Sequence, residues 1–99
     1  TYIATPEIRN CDGFTLNFGV DLSEGKIEYP NWSVWVRENG TDWVFIQDID
    51  VAEDTYLDYD IVFDHPISFT EIIVQPQKQY NYFSYSNWYE VKNLVFSVH

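Results

Sequence analysis

The stretch Tyr80-Asn81-Tyr82-Phe83-Ser84-Tyr85-Ser86-Asn87-Trp88-Tyr89 places six aromatic rings within ten residues, interleaved with Asn and Ser and carrying no charge. Flat rings stack on the apolar faces of sugars, and neighbouring amides and hydroxyls bond sugar hydroxyls. The same mixture serves protein-binding surfaces, where Tyr and Trp give contact area at low entropic cost. Tyr80, Tyr82, Tyr85 and Trp88 are therefore candidate stacking residues, with Asn81, Ser86 and Asn87 as directional partners. Trp35 and Trp43 could extend the platform. The opposing reading is that these rings are core filler in a small all-β domain, since only large contiguous exposed patches are informative.

A second cluster is acidic. Asp48, Asp50, Glu53, Asp54, Asp58, Asp60 and Asp64 bring seven carboxylates into seventeen residues with no base among them. Hard oxygen donors at this density could hold Ca²⁺, with Asp50, Glu53 and Asp54 in the loop between two strands as ligands. The run lacks the glycine and spacing of an EF-hand loop. Asp58 and Asp60 also alternate with Leu57, Tyr59 and Ile61, as on a solvated strand face. No other metal or cofactor is expected.

Catalytic constellations are missing. His65 and His99 are the two imidazoles; one precedes Pro66 at an expected strand end and the other is the last residue. Neither belongs to a nucleophile elbow or a zinc-binding helix motif, and four single glycines make no phosphate-cradling loop. The expectation is a protein that is not an enzyme. Cys11 is alone, so no internal disulfide can form, and a buried small hydrophobe is its ordinary role. Asn31-Trp32-Ser33 and Asn39-Gly40-Thr41 are N-glycosylation sequons. In a chain this rich in Asn, Ser and Thr they carry little weight.

The elements that position these residues follow from alternation. Phe14, Leu16, Phe18, Val20 and Leu22 share one face of a strand, as do Leu57, Tyr59, Ile61 and Phe63, and again Leu94, Phe96 and Val98. Residues 32–37 set Trp32, Val34 and Val36 against Ser33, Trp35 and Arg37. Residues 43–51 alternate poorly, which predicts a bulge or burial on both faces. Further strands are expected at 69–75 and, after Pro6, at 7–11 along an edge. Asp12-Gly13, Asn39-Gly40, Ser23–Lys26, His65-Pro66 and Gln75–Gln77 supply the turns, with Asn39-Gly40 as a hairpin. No stretch keeps helical spacing for three turns. The fold class expected is all-β, an antiparallel β-sandwich of about seven strands.

The order of these elements resembles the immunoglobulin-like and fibronectin-III-like accessory modules of bacterial multidomain proteins. Thr15–Leu22 looks like a B strand, Trp32–Arg37 like a C strand with its aromatic anchor, and Thr70–Gln75 like an F strand. The Cys pair of antibody domains is missing. The resemblance implies an extracellular or cell-surface setting with neighbouring domains as partners.

Size and charge bound the rest. Ninety-nine residues make residues 1–99 one domain, and the start at Thr1 and end at His99 suggest a segment of a longer protein. Such a chain can bury roughly 65% of its unfolded surface, enough for a modest core. With 45% hydrophobic residues the chain is not disordered, and its net charge of −11 repels phosphate backbones and anionic lipid. Nucleic acid is not an expected partner. No apolar run approaches the ~18 residues of a spanning helix, so membrane insertion is not expected either. A non-catalytic accessory module is the expected function. Its ligand is a glycan, or it serves as a spacer or protein-interaction domain without a sugar.

Overall fold

The computed structural model describes residues 2–22, 31–51, 57–76 and 87–98. Five strands account for nearly all of them: β1 (Tyr2–Leu22), β2 (Asn31–Arg37), β3 (Val44–Asp50), β4 (Leu57–Pro76) and β5 (Asn87–Val98). They form one antiparallel sheet in the order β3-β2-β4-β1-β5. Among the described residues there is no helix, and hence none long and apolar enough to cross a membrane.

The strand count differs from the seven expected because two expected breaks are bulges. Asp12-Gly13 does not end a strand; it lies inside β1, which runs on from the 7–11 segment into 14–22. Likewise His65-Pro66 lies inside β4 and joins 57–63 to 69–75. Register shows how the chain absorbs them. Gly13 pairs with Val62 and Cys11 with Ile67, so four residues of β4, Phe63 to Pro66, face Asp12 alone. Pro66 has no N–H to give a ladder, and a bulge is one of the few strand sites that tolerates it. Gly13 faces Ile61 so closely that an added Cβ would lie 2.2 Å from the Ile61 carbonyl oxygen, and its φ is +157°. Only glycine fits there.

These bulges let the sheet turn over on itself. Phe18 stands opposite Leu57 and Trp32 opposite Pro76, the two ends of β4. Were β4 straight, those ends would be about 60 Å apart at ~3.3 Å per residue. Instead the Phe18 and Trp32 rings meet edge to face with centroids 5.6 Å apart. The core is the space this curl encloses. It holds Phe14, Leu16 and Phe18 of β1, Trp32, Val34 and Val36 of β2, and Ile61, Phe63, Phe69, Ile72 and Val74 of β4. Phe14, Phe63 and Phe69 cluster at the bend with centroids 5.7–6.0 Å apart. Each such side chain contributes about 1.5–3 kcal/mol on leaving water. Cys11 is buried among them, as a small hydrophobe would be.

Local chemistry agrees with the hairpin and bulge expectations elsewhere. Asn39 and Gly40 both have positive φ (48° and 75°), and Thr41 N–H donates to the Glu38 carbonyl at 3.0 Å, which makes the tight turn between β2 and β3. In β3, Gln47 pairs with Val34 but Phe45 with Trp35, leaving Ile46 as the bulged residue.

Candidate ligand-binding face

The outward positions of β2 are Ser33, Trp35 and Arg37, because Trp32, Val34 and Val36 point inward. Register extends this outer face across the neighbouring strands. One row runs Tyr2 (β1), Ile73 (β4), Trp35 (β2), Phe45 (β3). Beside it lie Ala4, Glu71 and Arg37, and on the other side Gln75, Ser33 and Asp48. Tyr2 is 54% exposed and Phe45 46%, so the row presents rings to solvent rather than to the core. Trp35 is half-buried and meets Phe45 at 5.1 Å and 68°, edge to face. Its indole Nε1 is enclosed without a hydrogen-bond acceptor. Trp43 sits past the hairpin turn with the Arg37 guanidinium stacked 4.2 Å above its ring.

Glu71 organises the polar border of this face. Its carboxylate accepts a forked pair from Arg37 Nε and Nη2 (2.9 and 3.0 Å), the Tyr2 hydroxyl (2.7 Å) and the Gly40 N–H (3.0 Å). The Arg37 donors, followed by the Tyr2 hydroxyl, hold the carboxyl down at about 2. Reciprocally, the bond to Glu71 pushes the Arg37 guanidinium and the Tyr2 hydroxyl up. Asn39 N–H donates to Thr70 Oγ1 at 2.9 Å, so the hairpin turn is tied to β4 at two successive residues. Across the face, Ser33 Oγ donates to Asp48 at 2.9 Å. Ser33 is buried and so occupied, which disposes the first sequon poorly for modification.

No family model, curated protein or solved structure matches this chain.

The structure places the expected site residues unevenly. Trp35 is on the outer face, opposite the Trp32 side as the alternation requires. Tyr80, Asn81, Tyr82, Tyr85 and Ser86 lie outside the described residues. Asn87 and Trp88 are in β5, paired by backbone with Leu22 and Asp21. Of the proposed calcium ligands, Asp50 is exposed at the end of β3, while Glu53 and Asp54 lie outside the described residues. Among the described residues no group of three or more His, Cys, Asp or Glu is arranged to hold a metal. Asp58 and Asp60 are exposed and engaged by strand neighbours: Asn17 Nδ2 donates to Asp58 (2.8 Å) and Thr15 Oγ1 to Asp60 (2.9 Å). That is the behaviour of a solvated strand face. His65 is exposed and paired with Asp64 beside it.

Sequence reasoning missed Tyr2, Phe45 and Ile73 as members of the row, and Arg37 and Glu71 as its border. The signal that could have found them is register. The opening strand was expected to begin at Glu7, so Tyr2 had no assigned neighbour. The bulge at Ile46 puts Phe45 on the Trp35 face; the poor alternation of 43–51 signals a bulge but not which residue it displaces.

Proposed function

We propose that this chain is a non-catalytic binding module whose ligand, a neutral glycan, rests on exposed aromatic side chains. The observation that carries the reading is the row Tyr2–Ile73–Trp35–Phe45 on the solvent side of the sheet, bordered by Arg37, Glu71, Ser33 and Asp48. Rings beside fixed polar groups are what a sugar's apolar face and hydroxyls require. A net charge of −11 favours neutral over anionic polysaccharides. Trp88, Tyr85, Tyr82 and Tyr80, with Asn81, Ser86 and Asn87, belong to the same proposal as a second aromatic surface. We read the curled sheet as an immunoglobulin-like sandwich, with β1 and β4 each counted as two strands at their bulges. The setting proposed is a bacterial extracellular protein with further domains.

The alternative is a spacer or protein-interaction domain without a sugar ligand. It is favoured by the 68° angle between Trp35 and Phe45 and by Arg37 covering Trp43, because neither leaves a flat platform. Affinity electrophoresis through gels of neutral polysaccharide separates the two. Retardation that Trp35→Ala or Trp88→Ala weakens about tenfold, the equivalent of ~1.4 kcal/mol, supports the glycan. Migration unchanged by every polysaccharide leaves the spacer. For calcium at Asp50, Glu53 and Asp54, a melting temperature that rises in millimolar Ca²⁺ is required.

A further inference from the structure

The chain has seven asparagines, and six of them precede Cys, Phe, Trp, Tyr or Leu. Asn39 alone precedes glycine. The difference is chemical. An asparagine side chain is open to attack by the backbone nitrogen of the next residue, and a side chain on that residue obstructs the approach. Gly40 offers no such obstruction. Both residues are exposed in the β2–β3 turn, within reach of the water the reaction consumes.

The chemistry balances with water as sole co-reactant. The Gly40 nitrogen gives up its proton and bonds to Asn39 Cγ, while the Cγ–Nδ2 bond breaks and ammonia leaves. Water then opens the cyclic imide at either carbonyl. One opening gives aspartate. The other gives isoaspartate, whose main chain runs through the former side chain and is one methylene longer. Either product carries a new carboxylate.

The turn opposes the ring closure. Asn39 and Gly40, with φ of 48° and 75°, form the left-handed centre of a type I′ turn. In this turn the Gly40 N–H donates to Glu71 Oε2 at 3.0 Å, and the Asn39 N–H to Thr70 Oγ1 at 2.9 Å. For the Gly40 nitrogen to reach Asn39 Cγ, the peptide between the two residues must swing away from β4, which breaks the Glu71 bond. The attacking nitrogen also becomes an anion, and the adjacent Glu71 carboxylate disfavours negative charge there. Glu71 is not free to follow the swing, because it also accepts from Arg37 and Tyr2.

We propose that Asn39 is the deamidation site of this chain, that Glu71 and Thr70 hold it back in the folded state, and that conversion to isoaspartate unties the turn from β4. The longer main chain shifts Gly40 out of the spacing at which both N–H groups meet β4, and the new carboxylate repels Glu71. The reaction needs no ligand, so it stands independently of the glycan reading.

The test incubates the whole chain at neutral pH beside an unrestrained peptide of the sequence Arg37–Trp43. Isoaspartate is measured by methyltransferase labelling and located by peptide mass mapping. The chain is expected to convert at Asn39, about tenfold more slowly than the peptide, as when one bond to a charged group must break first. Thr70→Val removes one tie and Glu71→Gln the charge; each, where circular dichroism shows it folded, is expected to convert at least threefold faster than the unmodified chain. Converted chain, separated by its extra negative charge, is expected to melt several degrees lower than unconverted chain. Conversion as fast as in the peptide would overturn the proposal, as would isoaspartate arising at another asparagine. So would no conversion of the chain after the peptide is exhausted about ten times over, folded variants no faster than the parent, or a converted chain with an unchanged melting temperature. Because the unmodified chain, the peptide and the converted chain already decide, the outcome does not depend on whether Glu71→Gln folds.

Discussion

Replacing Phe18 tests whether the sheet truly doubles over. Its ring is fully buried and touches Trp32 of β2 and Tyr59 of β4, at 5.6 and 5.2 Å between centroids. Truncation to alanine removes a ring from a site whose walls come from three strands and cannot all collapse. The expected cost is about 3–5 kcal/mol, the range for buried Phe→Ala. For a domain of this size each kcal/mol lowers the melting temperature by about 4–8 °C, so a fall of roughly 12–40 °C is expected. Stability alone does not prove the contact, since any buried ring would be missed. The decisive measurement is a double-mutant cycle with Phe18→Leu and Trp32→Leu, read by urea unfolding. Edge-to-face aromatic pairs add about 0.5–1.5 kcal/mol beyond area burial, and a coupling of that order is expected. In an uncurled sheet the two residues would sit at opposite ends of β4 and their effects would simply add. Additivity within ~0.3 kcal/mol would therefore refute the folded-over arrangement.

Two further outcomes follow from single residues. Gly13→Ala sets a methyl against the backbone oxygen of Ile61 at a φ that L-residues avoid, so it is expected to destabilise by about 2–3 kcal/mol in denaturant unfolding. Gly40→Ala makes a useful comparison, because nothing lies within 4 Å of its added Cβ and only its φ of +75° opposes the change. Glu71 predicts an acid effect. Its carboxyl titrates at about 2 in the folded chain against an ordinary 4.5, so its stabilising contribution is complete above the ordinary value. That contribution is lost as pH falls from there toward 2. Glu71→Gln should flatten the pH dependence of the melting temperature in that window, and an unchanged profile would show that the Arg37 and Tyr2 bonds do not persist in solution.

What the sequence made legible was everything that depends on neighbouring residues. Alternation placed Phe14, Leu16 and Phe18 inside, and separated Trp32 from Trp35 correctly. Asn-Gly chemistry located the β2–β3 hairpin, because two consecutive positive φ values admit few other residues. Irregular alternation flagged the β3 bulge. Illegible was anything set by the far side of a bulge. Asp12-Gly13 and His65-Pro66 carry the composition of turns, and within their own strands nothing tells a turn from a bulge. Only the facing strand decides. Gly13 must be glycine because of Ile61, distant in sequence, and the bulge at Pro66 is taken up opposite Asp12. The outer aromatic row was illegible for the same reason, since Tyr2, Ile73, Trp35 and Phe45 come from four strands and meet only through register.

The central pairings also constrain the order in which the chain can fold. Phe14 lies between Ile61 and Phe96 in the sheet, so β1 finds its partners only when both much later segments are present. Among the described strand pairs, β2–β3 alone closes over a short loop. Long-range pairing of this kind must meet its loop-closure entropy before contacts compensate, and sheets built this way fold slowly. During synthesis β1 precedes the strands that cover its apolar side, so Phe14, Leu16 and Phe18 stay exposed at least until the β4 rings packed on them have been made.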